Sequence, residues 1–158
     1  MLSACALALH AVEGLFPPLP IAGARVGIAN IPAVFALYAA SPNMALCVTL
    51  VRVALSASIS GSVTGFILSL TGGMLSLMAM VAVKKLAGGR FSIVGVSVIG
   101  ALMHNTGQIA AAAFITQSAS IAYYLPVLLV VAMPTGIFVG LAARALLRAQ
   151  TELKTKRR

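Results

Sequence analysis

Acidic residues are nearly absent from this sequence, since Asp and Glu together occur twice in 158 residues. Charged residues of both signs make up 8% of the chain, whereas hydrophobic residues make up 61%. An ordinary soluble domain contains about 25% charged residues, because its surface must interact with water. The low charge therefore excludes a soluble globular fold, and the mean hydropathy of +1.08 indicates an integral membrane protein.

The shortage of acids also restricts the chemistry that the chain can perform. The two acids are Glu13 and Glu152, whereas Mg²⁺ bound to phosphate substrates normally requires carboxylate ligands. The sequence has no Asp-rich motif, Walker loop, zinc-ligand spacing, nucleophile elbow or Gly-rich dinucleotide turn. We therefore expect no catalytic residue, no metal ion and no cofactor, and we predict that the chain is not an enzyme.

Cysteine is also scarce, and its two positions do not form a motif. Cys5 and Cys47 lie in separate apolar runs, at a spacing typical of neither a metal site nor a redox pair. We expect both thiols to be reduced and buried. No Lys or Arg precedes the first apolar run at Leu2, so this run lacks the basic region of a secretory signal. It is predicted to be a retained helix.

Basic residues are concentrated in two places rather than spread along the chain, and they give a net charge of +9. The sequence has no basic face interleaved with aromatic residues and no reader motif, so we expect no nucleic-acid partner. Lys and Arg at helix ends mark the cytoplasmic side, which predicts an inner-membrane protein with both termini in the cytoplasm. The two groups are Lys84, Lys85 and Arg90 in one loop, and Arg144, Arg148, Lys154, Lys156, Arg157 and Arg158 at the C-terminus.

Clusters of proline, glycine and serine divide the apolar sequence into segments of helical character. This pattern predicts an all-α membrane helix bundle of about six transmembrane helices over residues 1–148, followed by a basic cytoplasmic tail over 149–158. The connection from Ser56 to Gly65 is expected to be a loop or loose helix start, and Pro134 a kink. The predicted helices run from Leu2 to about Phe16, Ile28 to Ala40, Asn43 to Ser56, Val63 to Val83, Phe91 to Thr116 and Pro126 to Leu147.

The second predicted helix, Ile28 to Ala40, is the weakest of the six. A helix needs about 20 residues to cross a bilayer, so a re-entrant segment explains this stretch equally well. Six crossings place the N-terminus on the same side as the basic tail, whereas five would place it outside. The positions of the basic residues favour six.

Ionisable residues within the predicted helices cost about 2.5–3.5 kcal/mol to insert at the helix centre, so they need a partner or a polar cavity. Glu13 and Arg52 are the expected buried pair. A purely structural ion bridge explains them as well as the floor of a ligand pocket does. Arg25 and Asn30 border the proline-rich loop after the first helix, where they could close over a solute, although Asn30 could equally be a helix cap.

His104 and Gln108 are four residues apart in the fifth predicted helix and so share one face, with Asn105 beside them. A single intramembrane His is more often a hydrogen-bonded packing residue, but three polar groups within about one turn favour a binding site. We predict a pocket in the outer half of the bundle that opens to the outer face. Its walls would be the first, third and fifth predicted helices, and its lid would run from Phe16 to Asn30.

Four stretches of the sequence resemble the Gx transporter family, whose members are also labelled heptaprenyl diphosphate synthase component I. The similarity extends from about Glu13 to Gln117, and its most specific part is the His-Asn-Thr-Gly-Gln run at 104–108. The family is similar to the S components of energy-coupling factor transporters, six-helix proteins that capture a vitamin or related solute from outside. The stretches are Ala24 to Ile31, Leu50 to Val53, Ser69 to Ser76 and Gly95 to Gln108.

This resemblance implies a solute-binding role, membrane lipid as surroundings, and partner subunits. A small-residue stripe with Ala4 and Ala8 would dock onto a transmembrane coupling subunit that works with ATPase subunits, although packing within the chain explains the stripe equally well. The alternatives are a non-catalytic membrane component of heptaprenyl diphosphate synthesis and a membrane scaffold. The implied solute-binding residues are Glu13, Arg25, Asn30, Arg52, His104, Asn105 and Gln108.

Overall fold

The computed structural model describes residues 28–86 and 90–156, and almost all of these residues are helical. Two short 3-10 turns, Ile28–Asn30 and Ala119–Tyr124, precede the first and the last α-helix. The described residues form no strand, so the predicted all-α class is confirmed for them. The α-helices are α1 (Ile31–Ala39), α2 (Pro42–Ser60), α3 (Val63–Leu86), α4 (Ile93–Thr116) and α5 (Leu125–Lys156).

Four of these helices are long and apolar enough to cross a membrane. The apolar segments are Pro42–Ile59, Val63–Leu86, Ile93–Thr116 and Ala119–Lys156. The fifth helix, α1, has nine residues and therefore a length of about 14 Å, against a hydrocarbon core about 30 Å thick. It does not cross the bilayer alone. The first predicted helix lies outside the described residues, so a total of six crossings stays a prediction.

The start of α2 follows directly from the sequence. Ser41 has an extended backbone, and its Oγ accepts a hydrogen bond from the Met44 amide at 3.2 Å. Pro42 occupies the first turn, where its missing N–H costs nothing. Ala40 and Ser41 separate α1 from α2 in a tight turn, as predicted.

The end of α2 differs from the prediction. The helix continues four residues beyond Ser56, because the serines of this stretch remain helical; Ser58 Oγ, for example, donates to the Ala54 carbonyl at 3.0 Å. Gly61 then ends α2 with a left-handed φ of 63°, which glycine adopts without strain. The connection expected from Ser56 to Gly65 is therefore shorter than predicted: Gly61 and Ser62 connect α2 with α3, and the rest of the stretch is helical.

The last helix is longer than predicted. α5 continues past Leu147 to Lys156, so most of the segment expected as a basic tail is helical. Its 32 residues span about 48 Å, which exceeds the thickness of the hydrocarbon core. Pro134 lies within α5 without ending it.

One expected buried thiol is exposed. Cys47 lies on the outer surface of α2, because α2 packs into the bundle through the face that carries Ala45, Val48 and Val53. The other cysteine lies outside the described residues.

Glycines set the spacing between α4 and α5. A Cβ added at Gly136 would lie 2.7 Å from Val98 Cα, and one added at Gly140 would lie 2.7 Å from Val94 Cα. Both distances are shorter than any normal carbon contact, so only glycine permits this approach. Close backbone packing of this kind is a main source of helix association in membranes, where lipid is as apolar as the side chains.

The connections bring most basic residues to one end of the bundle. Lys84, near the end of α3, donates from Nζ to the Leu37 carbonyl of α1 at 2.6 Å, and Nζ lies 4.5 Å from the centre of the Tyr38 ring. The α1–α2 turn and the end of α3 therefore share one end. Because successive long helices alternate in direction, the start of α4 and the end of α5 lie there too. Every described Lys and Arg except Arg52 is thus at this end.

The tight α4–α5 contact predicts a strong effect of a single methyl group. Gly136→Ala should lower the free energy of unfolding by about 1–3 kcal/mol, because the new Cβ must push Val98 away. Gly95→Ala is the matched control, since its Cβ would lie at ordinary distances of 3.4 Å and 3.6 Å from Phe91 and Ser92. Reversible unfolding in mixed micelles measures both. Equal stability of the two variants would contradict this packing.

The common basic end predicts a labelling pattern in cells. In a background with both cysteines replaced by serine, Asn43→Cys and Arg90→Cys should resist a membrane-impermeant maleimide, because the basic end is expected to face the cytoplasm. Tyr123→Cys, at the opposite end, should be labelled. Opposite behaviour of Asn43→Cys and Arg90→Cys would contradict the bundle, and reversal of all three would contradict the predicted orientation.

Candidate functional site

A cavity lies between all five described helices. About 70 Å³ of it is open to the centres of water molecules, which is room for roughly five waters. His104, on its wall, is the twelfth of the 24 residues of α4, and Arg52 lies near the middle of α2. Both residues therefore lie near the middle of their helices, and their expected position in the outer half of the bundle stays a prediction.

The wall of the cavity is unusually polar for the interior of an apolar bundle. Small residues, including Ala33, Gly73 and Gly100, leave the space open. The polar side chains on the wall are Asn30, Thr49, Arg52, Ser69, Ser76, Ser97, His104, Asn105, Gln108 and Thr135. Of the described residues predicted as binding residues, every one lies on this wall.

Arg52 contributes the charge of the cavity. Its side chain is 7% exposed, and no Asp or Glu of the described residues lies on the cavity wall. Gly73 of α3 lies opposite, where an added Cβ would be 3.8 Å from Nη2 of Arg52 and 3.0 Å from Cγ2 of Thr49. A glycine here therefore lets α3 approach the guanidinium group closely.

The polar cluster of α4 divides between two neighbouring helices. His104 and Gln108 are directed towards α3, since a Cβ added at Gly72 would lie 2.8 Å from Cγ of Gln108 and 2.8 Å from the His104 carbonyl oxygen. Asn105 is directed towards α5, where its Nδ2 donates to the Leu128 carbonyl at 2.9 Å. The predicted shared face of His104 and Gln108 is present, and Asn105 additionally ties α4 to α5.

The sequence suggested that Asn30 either caps a helix or borders a solute site, and the residue lies at both places. It is the N-cap residue of α1, yet its side chain makes no capping hydrogen bond. The residue lies on the cavity wall instead. Its amide group is therefore placed to serve the cavity rather than the helix end.

Several predicted features fall outside the described residues. Glu13, Arg25, Ala4 and Ala8 are among them, as are the first predicted helix and most of the expected lid. The third and fifth predicted helices, now α2 and α4, do contribute walls. α1, α3 and α5 also contribute, although the sequence argument did not include them.

Hydroxyl groups are the part of the wall that sequence reasoning missed. Ser69, Gly73 and Ser76 of α3 follow one another at helical spacing of four and three residues, and all three lie on the cavity. Ser97 of α4 is 3% exposed and lies two turns before His104 on the same face. The regular spacing of small and hydroxyl residues was the available signal.

Comparison with known proteins identifies the family. The sequence model of the family described as heptaprenyl diphosphate synthase component I matches residues 2–146. The chain belongs to this family. No curated protein and no solved structure matches the chain. The family label stated in the resemblance is thus confirmed, whereas the similarity to S components stays a prediction.

Some residues of the four stretches that resemble the family also line the cavity. Stretches that carry the resemblance to the heptaprenyl diphosphate synthase component I family contain the cavity residues Asn30, Arg52, Ser76, Ser97 and Gln108. The most specific run, at 104–108, supplies three of the polar wall residues. The sequence features typical of the family therefore surround one space.

The hydrogen bond of Asn105 predicts a measurable contribution to stability. Asn105→Leu should lower the free energy of unfolding by about 0.6–1.7 kcal/mol, because the Leu128 carbonyl loses its interhelical donor. Thr106→Val is the neighbouring control, since Thr106 Oγ1 donates only to Leu102 of its own helix at 2.9 Å. Unfolding in mixed micelles should show little change for this control. An unchanged Asn105→Leu variant would contradict the interhelical role.

Proposed function

We propose that the chain is a non-catalytic, solute-binding membrane subunit of a transporter, which receives a small vitamin-like or amphipathic solute from the outer face. The observation that carries this proposal is the polar cavity at the centre of an apolar bundle. Concave sites with a few convergent polar groups between helices are the usual form of small-molecule sites.

The cost of burying polar groups supports a binding role. A bundle that only has to remain in lipid gains nothing from an arginine at mid-depth, and intramembrane ionisable residues usually mark ligand or ion pathways. Asn105 has a structural use in its bond to Leu128. Asn30 makes no capping bond at its helix end, so capping does not explain it. The cavity offers a common explanation for these groups.

The distribution of carboxylates supports a non-catalytic role. Within residues 28–86 and 90–156, Glu152 is the single acid, and it lies exposed in the last turns of α5. The same residues bring together no group of three His, Cys, Asp or Glu side chains that could hold a metal ion. Binding and positioning are what amides, hydroxyls and a guanidinium group do best.

Transport would require partner subunits. In the arrangement of S components, a transmembrane coupling subunit would dock on the stripe with Ala4 and Ala8, and ATPase subunits would supply the energy. The solute would enter past the segment from Phe16 to Asn30, with Glu13 and Arg25 near the entrance. Six crossings and cytoplasmic termini in the inner membrane complete this proposal.

The family description favours a second candidate function. Its words, heptaprenyl diphosphate synthase component I, name one part of an assembly and imply a partner subunit. In this case the chain would be a non-catalytic membrane component that holds an isoprenoid compound for a synthase subunit. The cavity is compatible with both candidate functions, and the identity of the partner protein distinguishes them.

Binding by the central cavity predicts the effect of two substitutions. Native mass spectrometry of the gently extracted wild type should show a bound small molecule, and Arg52→Ala or Gln108→Ala should abolish its binding while the fold survives. Gln108→Ala is cleaner than Asn105→Ala, because Asn105 also joins two helices. Gln117→Ala, at an exposed position beyond α4, is the control and should retain the molecule. Retention in both cavity variants would exclude this site.

The same extraction identifies the partner. Co-purification with coupling and ATPase subunits supports transport, whereas co-purification with a prenyl synthase supports the second candidate. Stable complexes without any small molecule would contradict both and indicate a scaffold.

A further inference from the structure

Among the residues that the structure describes, Arg52 is the only charged residue on the cavity wall. The guanidinium group is a planar fork of five N–H donors that matches carboxylate and phosphate oxygens in pairs. One carboxylate of the chain would engage two of these donors, so a partner within the protein leaves donors for a ligand.

The hydrogen-bond donors on the cavity wall differ in whether they already donate to another group of the protein. Thr49 and Thr135 donate to carbonyl groups of their own helix at 2.9 Å each, and Asn105 donates to Leu128. These three contribute little further donation to a ligand. The other neutral polar groups on the described wall are the amides of Asn30 and Gln108, the hydroxyls of Ser69, Ser76 and Ser97, and the imidazole of His104.

The size of the cavity limits what fits. Room for about five water-sized groups accommodates a carboxylate, or a phosphate with its four oxygens. The described cavity therefore has room for one compact polar group of a solute.

We infer that the central cavity binds a compact oxyanion, a phosphate or carboxylate group, through Arg52 and the amide and hydroxyl donors around it. This inference rests on the proposed solute-binding function and specifies the class of solute. The solute is then either an anionic small molecule or the anionic head of an amphipathic compound. A neutral vitamin-like compound would lack the charge-assisted paired hydrogen bonds that a carboxylate or phosphate makes with a guanidinium group.

The test begins with the full-length protein in dodecyl maltoside, a detergent without phosphate. The midpoint of thermal unfolding is measured with sodium phosphate, sodium diphosphate and sodium acetate, against sodium chloride at equal ionic strength. At least one oxyanion should raise the midpoint of the wild type. Arg52→Gln should bind that oxyanion at least tenfold more weakly. Arg144→Gln removes an exposed charge of α5 and should respond as the wild type does.

A conservative variant separates charge from geometry. Arg52→Lys retains the positive charge but not the fork, so it should bind the oxyanion more weakly than the wild type and more tightly than Arg52→Gln. It also keeps the test decisive if Arg52→Gln does not fold. An equal response of wild type, Arg52→Lys and Arg144→Gln, or no response of the wild type to any oxyanion, would overturn the inference.

The compound released from wild-type protein by denaturation gives a second measurement. It should carry phosphate or carboxylate in mass spectrometry. Partition into chloroform and methanol then assigns the oxyanion to a lipid or prenyl head group, whereas retention in water assigns it to a free solute. A neutral compound overturns this inference but leaves the solute-binding function standing. The absence of any bound compound counts against the solute-binding function itself.

Discussion

The close crossing of α3 and α4 determines where the cavity lies. At this crossing a Cβ added to Gly107 would be 3.0 Å from Gly72 Cα, so the two helices meet backbone to backbone. This contact holds His104 and Gln108 beside α3, and Gly73 faces Arg52 one residue further along. Helices that approach so closely at one point diverge elsewhere. Their small and hydroxyl residues then border an open space that larger side chains would fill.

The short helix α1 depends on the same space. Its C-terminal end is fixed at the basic end of the bundle by Lys84, whereas its first turn begins at the cavity beside Asn30. A helix that begins within a membrane leaves backbone N–H groups at depth, and lipid cannot satisfy them. Pro32 removes one such donor from the first turn. A polar cavity at this place thus explains how a helix too short to span can be accommodated.

Sequence reasoning succeeded where a single residue has a strong local effect. Ser41 and Pro42 fix the start of α2 through capping and a missing donor. It failed for the end of α2 and for α5, because serines and charged residues can remain helical when nothing ends the helix. The polar residues of α4 could be predicted as a cluster, since burial makes amides and His conspicuous. The serines of the cavity wall could not be predicted, because serine is common in membrane helices and only packing shows which ones face a cavity.

The family description and the residues of the cavity constrain one another. Transfer of a prenyl group requires a diphosphate to leave, and carboxylate-bound Mg²⁺ is the ordinary means of neutralising its charge. Arg52 with amides and hydroxyls can hold an oxyanion, but no carboxylate is among the described wall residues. Such a wall agrees with the proposed role of holding a solute. The description as one component of an assembly agrees with the same proposal, since a subunit that only holds a solute needs another protein to move it or to react with it.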